Sequence, residues 1–315
     1  MRALPEEAVY RPYSAGPWRM GMDLLSAQQW DWFEIDALYP TEMTERGRLL
    51  DTNHAAVFAA LPRSGAARHE ALAMVRSALA EHHPDWFSLD GGIIRNHLTG
   101  EVWRGTGHDP LEIAGRLVQE DLCIIQPEET GPVFTAAVLC FPSRWTLPDK
   151  IGRPLVDVHG PVPFYKDRLA RPVDRFFANL KIGHIATRLN WSLLDDPALF
   201  QPGGKWRTEG DNGITPDNAA DRIFLRVERQ SLRRLPDSGA VLFGIRVHVY
   251  PLRNVIASSE QAAVLAEAVR ALPPEVQHYK SLLVFRSALL AWLDSQHQPA
   301  PVSTPSRPSW PGSSA

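Results

Sequence analysis

The sequence predicts an α+β protein built on an antiparallel sheet, with helical segments before and after it. The main observation is the stretch from Asp221 to Leu252, in which two β-rich runs flank the turn sequence Pro236-Asp-Ser-Gly239. Such an arrangement is typical of a β-hairpin. A third run, Ile185 to Leu194, repeats the alternation of apolar and polar residues. Apolar residues at helical spacing toward both ends of the chain complete the prediction.

The alternation gives each of the three strands a polar side and an apolar side. The polar positions are Arg188, Asn190 and Ser192, then Arg226, Glu228 and Gln230, then Arg246, His248 and Tyr250. The apolar positions are Leu189, Trp191 and Leu193, then Ile223, Leu225 and Val227, then Val241, Phe243, Ile245, Val247 and Val249. If the strands pair, we expect one apolar face and one polar face. The polar face is either a solvated surface or, because it has no Lys and many multidentate groups, a binding surface.

The other elements follow from helical and strand-like spacing along the chain. The first 42 residues are aromatic and irregular, so we expect them to wrap over the body. We predict helices over 44–61, 65–83, 110–120, 167–180, 258–272 and 275–295, and further strands over 91–96, 101–103, 121–126 and 135–141. Residues 196–220 form a polar loop. The predicted division is a wrapping segment with helices (1–90), a core domain (91–255), C-terminal helices (256–295) and a disordered Pro/Ser-rich tail (296–315).

Composition and motifs argue against several function classes. The chain has 315 residues and a net charge of −3, which gives no reason to expect nucleic acid or a membrane as a partner. The sequence has no run of transmembrane length and no apolar signal-peptide core, and its two cysteines lie in apolar runs. We therefore expect a reduced, cytoplasmic protein. The common phosphate-binding loops and the zincin and esterase motifs do not occur in the sequence.

One histidine is placed as a metal ligand would be. His159 follows the apolar turn Leu155-Val-Asp-Val158 and precedes Gly160-Pro161, so its imidazole is a candidate axial ligand for haem in an apolar pocket. The alternative is a core histidine with a satisfied hydrogen bond. A thiolate ligand from Cys140 is disfavoured, because nothing cationic near this apolar strand would stabilise the anion.

Three blocks of sequence carry a family resemblance. They are Cys140-Phe-Pro-Ser-Arg-Trp145 with Lys150-Ile-Gly-Arg-Pro-Leu155, then Val158-His-Gly-Pro-Val-Pro163, and Arg188-Leu-Asn-Trp-Ser192 with Leu225-Arg-Val-Glu-Arg-Gln-Ser-Leu-Arg-Arg-Leu-Pro236. From about Tyr10 to Leu293 the chain resembles the haem-dependent oxidative N-demethylase family through these blocks. The resemblance implies a PAS-like antiparallel sheet with a haem pocket and helical extensions at both ends. Which face of the sheet lines that pocket stays open.

The resemblance also implies a reaction and a set of partners. The expected reaction is the oxidative N-demethylation of a small secondary or tertiary amine, dimethylamine-like, by O₂ at a haem b, with release of formaldehyde. Electrons would come from an NADPH-dependent reductase subunit carrying FMN and a 2Fe–2S cluster, and a further subunit would use tetrahydrofolate. We expect the flavin and the iron–sulfur cluster on these partners, since this chain has no dinucleotide fingerprint or Cys cluster.

The residue pattern and the family resemblance together give the expected roles of individual residues. His159 is the expected iron ligand, and Arg144, Arg188 and Gln230 are the expected haem-binding residues. The expected catalytic residues are Glu228, Arg226, Asn190 and Arg246, and the expected amine-binding residues are Glu228, Trp191 and Tyr250. For each, the alternative is a structural hydrogen bond or a surface ion pair. Two other functions stay open: a non-catalytic haem-binding PAS-type gas or redox sensor, and an assembly subunit without haem.

Overall fold

A seven-stranded antiparallel sheet organises the chain, and a small three-stranded sheet accompanies it. The structure, a computed structural model, describes residues 4–5, 7–129 and 131–296. The strands are β1 (Leu25–Ala27), β2 (Phe58–Ala60), β3 (Phe87–Asp90), β4 (Ile93–Asn96), β5 (Val102–Trp103), β6 (Asp121–Glu128), β7 (Gly131–Val138), β8 (Ile185–Leu194), β9 (Phe224–Arg234) and β10 (Val241–Pro251). The large sheet has the order β1-β8-β9-β10-β6-β7-β2, and the small one β3-β4-β5.

Helices precede, interrupt and follow the large sheet. They are α1 (Tyr39–Thr52), α2 (His54–Val57), α3 (Gly65–His82), α4 (Pro110–Gly115), α5 (Leu155–Val158), α6 (Tyr165–Arg168), α7 (Ala170–Asn179), α8 (Ala219–Arg222), α9 (Leu252–Val255), α10 (Ser259–Ala271), α11 (Pro274–Tyr279) and α12 (Arg286–Ser295). The mixture of helices and antiparallel strands confirms the predicted α+β class. Among the described residues, no helix combines the length and the apolar character needed to cross a membrane.

The three strands that carry the polar pattern are neighbours, but their polar residues do not share one face. In β8 and β9 the pairing is Asn190 with Glu228, so the polar residues of these two strands lie on one face. In β9 and β10, however, Glu228 pairs with Val247, and Arg246 pairs with Arg229. The predicted single polar face is therefore wrong: Arg246, His248 and Tyr250 lie on the opposite face from Glu228.

The length of the hairpin turn explains this division. The amide of Leu235 donates to the carbonyl of Ala240 at 2.8 Å, which leaves the four residues 236–239 as the turn. Even-numbered residues of β9 consequently pair with odd-numbered residues of β10. Since side chains alternate along a strand, the apolar residues Phe243 and Ile245 join the polar residues of β8 and β9 on one face.

Each face of the central strands packs against a different set of helices. On one face, Leu193, Leu225 and Val227 join a hydrophobic cluster with the C-terminal helices α8 to α12. On the other face, the sheet lies under α5, α6 and α7, and a cavity separates the two layers. The face that carries Asn190, Glu228, Phe243 and Ile245 is the one that lines this cavity.

Several element boundaries differ from the sequence-based prediction. The first predicted helix ends at Thr52, and Phe58–Ala60 pairs with β7 as the edge of the sheet, so tertiary pairing overrides the helix preference of the alanines. The last predicted helix is interrupted at Ser281, whose φ is +55°. Its hydroxyl donates to the Gly204 carbonyl at 3.0 Å, which ties the long 196–220 loop to the helical region. Of the predicted tail, residues 297–315 lie outside the described residues.

Candidate functional site

A cavity of about 970 Å³ lies between the large sheet and helices α5 to α7. The sheet contributes apolar side chains such as Ile125, Phe134, Phe243 and Ile245, and the helices contribute Val158, Phe176 and Phe177. The segment from Pro12 to Leu25 forms another part of the wall. The volume is near the upper end of the roughly 300–1,000 Å³ usual for small-molecule and cofactor sites.

His159 lines this cavity from the C-terminal end of α5. Its Nδ1 lies 2.8 Å from the carbonyl oxygen of Leu155, a contact that places the proton on Nδ1 and leaves a lone pair on Nε2. The imidazole stacks on the ring of Tyr165, with centroids 4.4 Å apart and planes 13° from parallel. Burial lowers the pKa of His159 to about 4, and neighbouring cations act in the same direction. The imidazole is therefore neutral at physiological pH, the state in which it binds a metal ion.

Glu228 is the carboxylate that β9 places at the cavity wall. Asn190 Nδ2 donates to Glu228 Oε2 at 3.2 Å, and Gln230 Nε2 donates to the same oxygen at 2.8 Å. Burial alone would raise the pKa of Glu228, but hydrogen bonding with Ser143 and the charge of Arg226 outweigh it. The pKa of Glu228 consequently lies below its ordinary value, and the side chain is an anion at neutral pH.

Two arginines line the cavity with part of their hydrogen-bonding capacity unused. Arg188 Nη1 donates to Gln230 Oε1 at 3.3 Å, while its buried Nε has no partner among the described residues. Arg144 Nη2 donates to Asp195 at 2.6 Å, while its buried Nη1 is without a partner in the described part of the chain. Arg144 adopts a φ of +59°, and its amide donates to the Gln201 carbonyl at 2.6 Å. Both arginines can thus accept a further anionic ligand group.

Three lysines, Lys150, Lys205 and Lys280, also line the cavity. Among the described residues their ammonium groups contact neutral oxygens: Lys150 contacts the Val158 carbonyl at 2.6 Å, Lys205 the Tyr279 hydroxyl at 2.9 Å, and Lys280 the Trp191 carbonyl at 2.5 Å and the Ser192 hydroxyl at 3.2 Å. Burial lowers the pKa of each lysine to about 8. The sequence-based reasoning missed this group, although the scarcity of Lys in the chain could have indicated it.

Arg226, expected to be catalytic, lies on the same face of the sheet as Glu228 but does not line the cavity. Its side chain is 1% exposed, and Nε donates to the Ser143 hydroxyl at 2.7 Å. The terminal nitrogens donate to backbone carbonyls of two neighbouring segments, those of Phe141, Pro142, Ala198 and Leu199. Arg226 therefore acts on Glu228 from beside the cavity, through its charge and through Ser143.

The structure places Arg246 and Tyr250 away from the cavity. Arg246 forms ion pairs with Asp36 at 2.6 Å and with Glu42 at 2.7 Å, and Tyr250 belongs to the cluster against the C-terminal helices. Trp191 pairs with Val227 and so lies on the opposite face of the sheet from Glu228, yet it also lines the cavity. Of the expected site residues, the cavity thus brings together His159, Arg144, Arg188, Asn190, Trp191, Glu228 and Gln230.

Cys140 is an unsuitable ligand, for a reason that differs from the one expected. The sequence-based argument that no cation lies nearby is wrong, because the Arg46 guanidinium is close enough to favour the thiolate. Burial and the neighbouring Asp121 carboxylate outweigh Arg46 and raise the pKa of the Cys140 thiol to about 12. The side chain is fully buried in the hydrophobic core. Cys140 therefore remains a protonated core residue.

Comparison with protein families gives a match over most of the chain. The model of the family described as "Haem-dependent oxidative N-demethylase, alpha subunit-like" matches residues 23–290. The matched range includes all the site residues gathered above, from Arg144 to Lys280. The match confirms the family resemblance inferred from the three sequence blocks.

Proposed function

The chain belongs to the haem-dependent oxidative N-demethylase, alpha subunit-like family, and on that premise we propose that its cavity holds haem b and oxidises a small N-methylated amine. The amine would be secondary or tertiary and dimethylamine-like. One atom of O₂ would go to the methyl carbon, which leaves as formaldehyde, and the other would leave as water. Two electrons per turnover would come from NADPH through a partner.

The observation that carries this proposal is the state of His159. The imidazole is neutral, its Nδ1 is committed to the Leu155 carbonyl, and its Nε2 is left with a lone pair at the cavity. Hydrogen bonding at the second ring nitrogen is the usual way in which proteins orient a metal-ligating histidine. Stacking on Tyr165 holds the plane of the ring.

The rest of the cavity fits a haem as well. Apolar side chains from β6, β7, β10 and α7 suit the flat macrocycle, while the unused donors of Arg188 and Arg144 suit its two propionate groups. Gln230 orients Arg188 through the hydrogen bond between them. Three consecutive antiparallel strands that line a pocket, preceded by short helices, also support the PAS-like assignment.

Glu228 is the residue that we propose to hold the substrate ammonium. Bound haem would supply the iron at which dioxygen is activated. Glu228 is ionised and fixed by Asn190 and Gln230, and Trp191 provides an aromatic wall that favours a cation. Arg226, beside the cavity, favours the ionised form of Glu228. Arg246 and Tyr250, which were expected in the site, have no part in this proposal.

We also propose the partners of this chain. An alpha subunit-like chain implies further subunits, and we propose a reductase that carries FMN and a 2Fe–2S cluster, together with a tetrahydrofolate-dependent subunit. Transient electron-transfer contacts are polar and modest in area, roughly below 1,200 Å². The reductase is thus expected to dissociate readily from this chain.

Absorption spectroscopy tests the cofactor assignment. The protein purified from haem-supplemented cells should show a Soret band, His159→Ala should weaken or abolish it, and Cys140→Ala should leave it unchanged. A folded wild-type protein that takes up no added hemin would contradict the proposal, and the opposite response of the two variants would make Cys140 the ligand.

Formaldehyde production tests the reaction. The haem-loaded chain, an N-methyl amine, O₂ and NADPH should yield formaldehyde only when a flavin and iron–sulfur reductase is added. NADPH-dependent formaldehyde from the chain alone would contradict the proposal that a partner reductase delivers the electrons. A haem protein that yields no formaldehyde with a competent reductase would contradict the enzymatic function.

A further inference from the structure

Lysine is rare in this chain and concentrated in one place. The sequence contains 33 Lys and Arg residues, of which only five are Lys: Lys150, Lys166, Lys181, Lys205 and Lys280. Three of these five, Lys150, Lys205 and Lys280, line the cavity described above. They reach it from three separate segments: the turn before α5, the 196–220 loop and the residue after α11. We call these three residues the lysine triad.

The triad leaves the cavity with an excess of positive charge. No ammonium group of the triad forms an ion pair within the described residues, and Arg144 is already paired with Asp195. Glu228 attracts all three lysines electrostatically and raises the pKa of each. Glu228 and the exposed rim carboxylate of Asp23 together cannot balance three ammonium groups and Arg188.

The excess charge is a cost that an anion would relieve. Transferring an ammonium group out of water disfavours its charged form unless a partner compensates, and the lowered pKa of each lysine reflects that penalty. Neutral side chains of similar length would avoid it. A cluster of compact, strongly hydrated ammonium groups in a cavity with few carboxylates therefore indicates a ligand that brings its own carboxylate.

We propose that the lysine triad is a carboxylate-binding subsite of the cavity. Two ligands could supply the carboxylate. One is a haem propionate, which the lysines would bind together with Arg144 or Arg188, and the other is the substrate, as an N-methylated amino acid whose ammonium group binds Glu228. The choice between these ligands rests on the proposed function, whereas the carboxylate subsite itself does not.

Binding measurements on single variants of the full-length chain separate the two sources. Lys150→Met, Lys205→Met and Lys280→Met remove the charge and keep most of the apolar stem, and Lys181→Met, an exposed lysine between α7 and β8, is the matched control. Hemin and its dimethyl ester are titrated into the haem-free protein by absorbance. N,N-Dimethylglycine and dimethylamine are titrated into the haem-loaded protein by spectral shift.

The triad variants should lose about tenfold or more in affinity for one of the acidic probes, because each removes a charge-assisted contact. Their affinity for the matching probe that lacks a carboxylate should not fall, and every affinity of Lys181→Met should stay within about twofold of wild type. A loss confined to hemin identifies the propionate, and a loss confined to N,N-dimethylglycine identifies the substrate. Triad variants that bind both acidic probes as tightly as wild type would overturn the subsite.

Nuclear magnetic resonance of lysine labelled with ¹³C at Cε tests the subsite without any substitution. The wild-type chain should give five signals, and three of them should move when N,N-dimethylglycine or propionate is added to the haem-free protein. A wild-type protein that binds no haem would end the proposed function, yet these three signals would still report on the subsite. Signals that all remain in place at saturating carboxylate would refute it.

Discussion

Replacing Arg226 by methionine separates a structural role from a catalytic one. The guanidinium of Arg226 donates to the Ser143 hydroxyl and to four backbone carbonyls, at distances between 2.7 and 3.3 Å. These carbonyls belong to the segment after β7 and to the loop after β8. Methionine fills much of the same volume but satisfies none of the acceptors. Arg226→Met should therefore detach both segments from the sheet and destabilise the whole protein.

The size of the effect follows from the burial of the group. A hydrogen bond to a charged group contributes about 1.5–3 kcal/mol, and removing one partner of a buried charged network costs about 3–5 kcal/mol. Several acceptors lose their donor together, so their individual contributions do not add. We expect the free energy of unfolding to fall by about 3–5 kcal/mol, a large part of the roughly 5–15 kcal/mol available to a folded protein.

Urea denaturation followed by circular dichroism measures this loss. Arg63→Met is a suitable control, because Arg63 forms an exposed ion pair with Glu128 and exposed pairs contribute at most about 1 kcal/mol. The free energy of unfolding of Arg226→Met could instead lie within about 1 kcal/mol of that of wild type while amine turnover is lost. Arg226 would then act on the ligand directly, and the structural role inferred from its contacts would be wrong.

Three other predictions concern charge. Glu228→Gln should retain haem but lower amine turnover by about tenfold or more, because it removes a buried charge partner. Unchanged turnover would assign Glu228 a structural role. Asp23→Asn, at the exposed rim of the cavity, is the control. Affinity for an anionic ligand should fall as the pH rises through about 8, where the lysine triad loses its protons; an affinity independent of pH between 6 and 10 would show that the lysines carry no binding charge. Burial raises the pKa of Glu120 from 4.5 to about 7, so the folded state retains a proton that the unfolded state has lost, and stability should fall as the pH rises from about 4.5 to 7. Glu120→Gln should remove that dependence and increase the free energy of unfolding at pH 8 by up to about 3 kcal/mol, as chemical denaturation at pH 4 and pH 8 would show.

Local sequence patterns were sufficient to predict the main strands and the turn between two of them. The run Ile185 to Leu194 is a strand with those bounds, and the turn Pro236-Asp-Ser-Gly239 joins β9 to β10. The cap of α10 also follows from sequence, since the Ser258 hydroxyl accepts from the Gln261 amide at 3.2 Å. These features depend on alternation and on side chains a few residues apart, which one sequence displays.

The composition of the cavity could not be predicted in the same way. Whether Arg246 joins Glu228 depends on the register between two strands, and alternation within each strand is compatible with either register. The lysine triad comes together only through the tertiary structure, from positions more than fifty residues apart in sequence. His159 could be predicted as a site residue because its sequence neighbours, an apolar turn and Gly160-Pro161, indicate a rigid backbone and an apolar environment for its imidazole.

The four-residue turn between β9 and β10 has a consequence for how this family of sequences can diverge. Insertion of a single residue there, with the turn kept at four residues, would move β10 by one position relative to β9 and exchange its two sides. Arg246 and His248 would enter the cavity, and Phe243 and Ile245 would leave it. An insertion or deletion should therefore be accepted only where the turn absorbs it without a change of register, and Gly239, whose φ is +69°, restricts substitution as well. The length of this turn thus decides which side chains of β10 share the cavity wall with Glu228.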